Sequence, residues 1–538
     1  MNKHSKNFKK SLSLLDLMMI GLGSIFGSGW LLAASHVSTI AGPAGILSWV
    51  IGGFAVLLLG FIFCELGAAL PHAGGVVSYP AYSHGSVVGF LTGLITIIAY
   101  SSLISIEAIA ARQYASAWFP FLSANSAGDA TVIGWIVQAI LLAGMFYLNL
   151  VGVKAFAKVN NILSIFKFIV PTLIIICLLY FSSSANFTSA GFAPFGSKGI
   201  EEAISTGGVI FAYLGLTPIV AAAAEVKNPQ RSIPYALVGC IVLSTIIYVL
   251  LQASFIGSIP SSYISKGWGS ISDSFVLPFH DIALILGIGW LAKLVVIDAI
   301  ISPSGTGNIY MNTTSRVIFA WAKDGSFFNK FAHVDEKSGV PTPALWLTFA
   351  LSLFWTLPFP SWKALIGVVS SALMLSYALA PISAASLRKT SGQIERPFYL
   401  KGMGILSPIA FVIASLIVYW SGWQTVSWLL GSQLLLGCIY VISKMIAKDT
   451  TIFINLKSGA WLMIYYTGMI IVSAMGDFGG WEVFSHIEGL SAVAVVALIS
   501  YFIGVNTGLS PVTHEHEVEH QSLELSNFQE KELIDASV

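Results

Sequence analysis

Gly21-Leu22-Gly23-Ser24-Ile25-Phe26-Gly27-Ser28-Gly29 interrupts the middle of the first long apolar segment of the chain. Hydrocarbon offers no water to satisfy backbone groups released from a helix, and glycine weakens helical geometry while permitting unusual backbone conformations. Four glycines in this run predict a helix that opens at mid-membrane onto a cavity or a ligand.

Composition places that helix in a membrane. Of 538 residues, 56% are hydrophobic and 9% charged, whereas a soluble domain carries about 25% charged residues. The formal net charge of +1 hides clustering of Lys and Arg in short loops and of acids in the C-terminal tail. It gives no footprint for nucleic acid. Cys64, Cys177, Cys240 and Cys438 all fall in apolar runs, where a thiol packs as a small hydrophobe, so neither a disulfide nor a metal site is expected. The basic N-terminus (Lys3, Lys6, Lys9, Lys10) precedes an apolar run that is too long for a signal peptide and lacks a small-residue cleavage site.

About fourteen segments are long enough to cross roughly 30 Å of hydrocarbon at 1.5 Å per residue. They run from 14–39 and 43–70 through 200–224 (sixth) and 284–313 (eighth) to 458–475 and 488–508. With the N-terminus in the cytoplasm, Lys227, Arg231, Arg316, Lys323, Arg388, Lys389 and Arg396 fall inside, while Lys198, Lys266 and Lys363 fall outside. This asymmetry predicts an even number of spans with both termini cytoplasmic. The expected organisation is a short N-terminus (1–13), a ten-helix core (14–386), additional helices (387–510) and an acidic, His-rich tail (511–538).

Both the first and sixth spans are interrupted, the sixth by Gly207, Gly208, Gly215 and Pro218. Two such segments in corresponding positions are the mark of inverted repeats whose broken helices face each other. Four motifs then carry a resemblance. They are Gly23-Ser24-Ile25-Phe26-Gly27-Ser28-Gly29; Glu65-Leu66-Gly67 with Pro71 and Ala73-Gly74-Gly75; Phe211-Ala212-Tyr213-Leu214-Gly215 followed by Glu225-Val226-Lys227-Asn228-Pro229-Gln230-Arg231; and Ala322-Lys323-Asp324-Gly325. In this order, over roughly 14–400, the chain resembles the amino acid, polyamine and organocation transporter superfamily. Within it, the extra spans and Ser302-Pro303-Ser304-Gly305-Thr306-Gly307 look most like the bacterial aspartate-proton symporters. The resemblance implies an all-α, LeuT-like 5+5 inverted repeat with about four extra C-terminal spans. The implied function is import of an α-amino acid, aspartate or another acidic or polar one, by proton symport.

Exposed amides near Ser28, Gly29 and Trp30 lie at a positive helix end suited to a carboxylate, and Gly27 and Gly29 leave room for it. Carbonyls near Gly23 and Ser24, and around Phe211 and Ala212, can accept from an ammonium group. The alternative is that these glycines serve only close helix packing. By resemblance, Phe211 is an aromatic gate, while Leu214, Gly215 and Tyr310 line the pocket.

Glu107, Lys167, Lys293 and Asp298 lie inside spans, where a charge costs at least about 2.5 kcal/mol on insertion scales. Lys167 resembles the lysine that proton-coupled relatives place where sodium-coupled ones bind an ion. Lying about ten residues, or about 15 Å, into its span, it is too deep to snorkel easily. Asp298 precedes Ser302–Gly307, a run expected to break the eighth span and expose the hydroxyls of Ser304 and Thr306 to the cavity. Asp298 serves either proton relay or a pair with Lys293. Glu107 serves substrate contact, proton coupling, or a pair with Arg112.

An enzyme is not expected, since no span contains His-Glu-x-x-His or Gly-x-Ser-x-Gly. No cofactor is implied; the partners are a small amino acid, protons and the bilayer. An amino acid/amine exchanger and a non-transporting sensor remain alternatives. His514, Glu515, His516 and Glu517 make the tail a candidate pH-sensitive plug, against the simpler reading of a solvated segment. Asn186-Phe187-Thr188 is a sequon made incidental by the bacterial resemblance.

Overall fold

The computed structural model describes residues 12–70, 74–125, 127–151, 153–213, 215–221, 226–335 and 339–509, with the backbone alone at 153–166 and 221. Pro71, Ala73, Leu214, Glu225 and the tail 511–538 lie outside the described residues. The described chain is helical, with two isolated β-bridges and no strand. Helices occupy all fourteen apolar segments.

Span one is two helices, Leu14–Ile25 and Gly29–Ala41. Its start is set by Ser13, whose hydroxyl accepts from the Asp16 N–H while the Asp16 carboxylate accepts from the Ser13 N–H. Span two (Gly45–Ala69) leads through a short helix, Gly75–His84, to span three (Ser86–Ala115), span four (Val132–Val151) and span five (Val153–Tyr180). Span six is three pieces, Gly196–Ser205, Val209–Ala212 and Leu216–Ala221. Gly208 breaks it at φ +95°, a left-handed conformation that glycine adopts without strain. Spans seven (Pro229–Ser258), eight (Gly289–Lys323), nine (Thr342–Trp355) and ten (Trp362–Thr390) follow. The last four are eleven (Met403–Tyr419), twelve (Trp423–Ile446), thirteen (Ile452–Met475) and fourteen (His486–Thr507). By length and composition, eight described helices can cross a membrane, or nine if the bent pair in span six counts as one. This is an integral membrane protein of LeuT-like fold.

Span eight corrects one expectation. It begins at Gly289, not 284, and runs unbroken for 35 residues through Pro303, Gly305 and Gly307. Proline removes one backbone donor, but neighbouring helices and hydroxyls can re-satisfy the freed carbonyl in a membrane bundle. The Ser304 hydroxyl donates to the Ile300 carbonyl at 2.6 Å, which turns it back onto its own helix and away from the cavity.

Two clamps hold the bundle at opposite ends. At one end, Glu65 of span two, 2% exposed, accepts from Arg388 Nε at 2.7 Å, from Arg388 Nη2 and from the Leu400 N–H at 2.8 Å. Here also Ser78 of the short helix donates to Asp324 at 2.8 Å, so the Asp324 motif pins the turn between spans two and three. At the other end, Asp477, between spans thirteen and fourteen, lies 3.4 Å from Lys198 Nζ and 3.0 Å from His486 Nδ1. His486 Nε2 lies 3.2 Å from Glu201 in the first piece of span six. Partial burial alone raises the Asp477 pKa, but the His486 hydrogen bond and Lys198 charge outweigh it and hold it below the ordinary 3.8. Its stabilising contribution is therefore present above the ordinary carboxylate range and is lost as pH falls through the lowered value.

The two clamps differ in burial, and this sets a ranking. Arg388→Ala leaves buried Glu65 without its fork-like partner and with Arg396 Nε, 3.6 Å away, as its remaining cation, at a cost of about 3 kcal/mol. Lys198→Ala removes a side chain that is 43% exposed, at a cost below about 1 kcal/mol. Melting of both variants in detergent checks this, and equal shifts would refute it.

Candidate functional site

Opening span one at Phe26–Ser28 releases carbonyls at the end of Leu14–Ile25 and amides at the start of Gly29–Ala41. Buried backbone groups need partners, and side chains from other spans supply them. The Gly23 carbonyl accepts from Lys167 Nζ at 2.5 Å and from the Thr306 hydroxyl at 3.3 Å. That hydroxyl also lies 3.2 Å from the Phe26 carbonyl and accepts from Lys167 Nζ at 2.7 Å. The Ile25 carbonyl accepts from the Tyr248 hydroxyl at 3.1 Å, and the Ser28 N–H donates to Glu107 Oε2 at 2.8 Å. Lys167 thus stands at the negative end of one half-helix and Glu107 at the positive end of the other, the arrangement the helix dipoles favour.

Span six closes against this break. Tyr248 Oη also lies 2.9 Å from the Ala212 carbonyl, so one tyrosine bridges both broken helices. A Cβ on Gly29 would sit 2.7 Å from Ala212 Cβ and 2.8 Å from Ala212 Cα, and one on Gly215 would lie 3.1 Å from the Gly21 carbonyl. These glycines bring the two backbones together, whereas a Cβ on Gly27 would collide with the Glu107 carboxylate. Close packing and an open cradle are divided among residues of the same run.

Phe211 is 3% exposed and meets Trp362 edge-on with ring centroids 6.1 Å apart. Trp362 Nε1 donates to Ser28 Oγ at 3.1 Å, and His36 stacks on the same indole at 5.3 Å. On another side of the break, Tyr310 packs edge-on to Tyr100 at 5.4 Å, and the Tyr100 hydroxyl is 2.5 Å from Thr217, itself 3.1 Å from the Tyr377 hydroxyl. Ser24, Ser28, Glu107, Lys167, Ala212 and Tyr310 are all at most 1% exposed, so this is a closed state.

Several sequence alternatives are resolved by these contacts. Arg112 is not Glu107's partner; its guanidinium donates to Gln138, Ser123 and the Gly128 carbonyl at 2.9, 2.8 and 2.7 Å. Lys293 is exposed and forms no ion pair with Asp298 among the described residues, because five residues along a helix turn it to a different face. Asp298 accepts from Ser302 at 2.7 Å and lies about 12 Å along span eight from Thr306 by the usual rise, so it does not touch the break. Ser24 donates to the Ile20 carbonyl of its own helix at 2.6 Å. Tyr248 and Trp362 were absent from the sequence expectations, since an aromatic in an apolar span carries no signal separating core from site.

The amino acid permease family model matches residues 12–470. The chain is 54% identical to the aspartate-proton symporter of Bacillus subtilis (strain 168) over 514 residues, covering 95% of this chain and 99% of that protein. It is 38% identical to the glutamate/serine transporter AimA of the same organism over 509 residues, covering 93% and 94%. It is 24% identical to that organism's branched-chain amino acid permease BcaP over 434 residues, covering 78% and 90%. Built on two broken helices whose freed backbone groups converge, and matched by the family model over most of its length, the chain belongs to the amino acid permease family.

Proposed function

We propose that this permease imports aspartate, or another acidic or polar amino acid, together with protons by alternating access. The observation that carries this reading is the break in span one, held by a base at its carbonyl end and an acid at its amide end. Lys167 donates to Gly23 and Thr306, and Glu107 accepts from Ser28. An α-amino acid presents the same pair of charges, an ammonium for the carbonyls of Gly23, Ser24, Phe211 and Ala212 and a carboxylate for the amides of Ser28 and Gly29. Losing a proton would leave Lys167 one donor poorer and loosen its hold on span one, which links protonation to helix movement. Relatives named for aspartate with protons and for glutamate and serine support the substrate class. In this reading Phe211 is the gate, Leu214, Gly215 and Tyr310 line the pocket, and Glu107 and Asp298 assist proton movement.

The proposed transport core is 14–386, with 387–510 as added helices and both termini, including 511–538, on the cytoplasmic side of a bacterial cytoplasmic membrane. The loop cations Lys227, Arg231, Arg388, Lys389 and Arg396 support this orientation.

Purified protein in vesicles free of internal amino acid tests the reading. An imposed inward proton gradient should drive uptake of labelled aspartate, and Lys167→Ala should lower that uptake by about ten-fold or more, the loss expected of a proton-transfer group. Strict dependence on internal amino acid would replace symport by exchange, and failure of both uptake and counterflow would leave a sensor. Gly29→Ala gives a second check. Its methyl would push span one off Ala212, and displacement of about 1 Å in a binding geometry costs up to about a hundred-fold in rate. Normal uptake by this variant would refute the close approach of spans one and six during transport.

A further inference from the structure

The Glu107 carboxylate lies where the proposed function puts the carboxylate of the substrate. It accepts from the Ser28 N–H at 2.8 Å, beside the N-terminus of the 13-residue half-helix Gly29–Ala41. A glycine of span one admits it, since a side chain at Gly27 would collide with its carboxylate. The residue is 1% exposed. Among the described residues it forms no ion pair: Arg112 is directed to Gln138, Ser123 and Gly128, and Lys167, whose charge reaches Glu107, bonds Gly23 and Thr306 instead.

We propose that Glu107 is a tethered occupant of the α-carboxylate position, which an incoming amino acid has to displace before it binds. This deepens the transport reading and rests on it. A carboxylate held on a helix competes with free substrate at high effective concentration, and one accepting from a backbone amide at a helix start makes a charge-assisted bond that substrate must equal. The site is thereby closed on itself between substrates, and affinity is a difference between two carboxylates rather than the strength of one. A ligand without an α-carboxylate does not contest the position. Glu107 would then set affinity by leaving the cradle, a role opposite to that of a residue touching the substrate.

The test is equilibrium binding to full-length protein in detergent. A panel of common amino acids identifies the tightest ligand, with aspartate expected. Wild type, Glu107→Gln and Glu107→Ala are then compared for that ligand and for the amine left when its α-carboxylate is replaced by hydrogen. The neutral amide oxygen of Gln still accepts from Ser28 but weakly, so affinity should rise from wild type to Gln to Ala, reaching about ten-fold tighter in Ala as the charge-assisted bond is removed. Binding of the amine, which places nothing at the Ser28 N–H, should show no such rise across the three. Melting temperatures identify a variant that fails to fold, in which case the other carries the comparison. Ligand binding that weakens or stays constant in the folded variants overturns the proposal alone. A wild type that binds no amino acid overturns the transport reading and this proposal with it.

Discussion

A backbone that leaves helical geometry inside a membrane must find new partners for its amides and carbonyls, and the rest of this structure is arranged around that requirement. The break at Phe26–Ser28 draws Lys167 from span five, Tyr248 from span seven, Thr306 from span eight, Glu107 from span three and Trp362 from span ten. The first four partner released backbone groups, and Trp362 holds the Ser28 hydroxyl beside them. The same convergence builds a polar centre inside an otherwise apolar bundle, so the cost of opening the helix and the means of recognising a charged ligand arise from one event.

Tyr248 and Trp362 extend that event to span six. Tyr248 bonds the Ile25 and Ala212 carbonyls with one hydroxyl, so the two breaks are fixed relative to each other. Trp362 touches Ser28 through its N–H and Phe211 through its ring, so the candidate gate and the amide cradle share one indole. Where such packing has a second arrangement, a local change in bonding becomes movement of a whole helix.

The opening of span one was legible because four glycines in nine residues have no place in a plain membrane helix. The ends of most spans were legible from hydropathy, and the family from motifs in order. Span eight was not, because Pro303 and its glycines read as a break when only the neighbouring helices decide whether the helix continues. Nor was the partner of Glu107 legible. Spacing along one helix suggested Arg112, whereas the true contact is 79 residues away in another span. The aromatic bridges were hidden for a similar reason, since only three-dimensional packing tells Tyr248 and Trp362 from ordinary core.

The clamp of Lys198, Asp477, His486 and Glu201 brings distant residues within a few ångströms, with Lys198 and Asp477 279 positions apart and Glu201 and His486 285 apart. It fastens the first piece of span six to the loop between the two last helices. This network therefore ties span six to helices that come far later in the chain. A tilt of span six would have to carry the late helices with it or break these ion pairs, so the four helices after residue 386 are mechanically joined to span six and are no mere appendix.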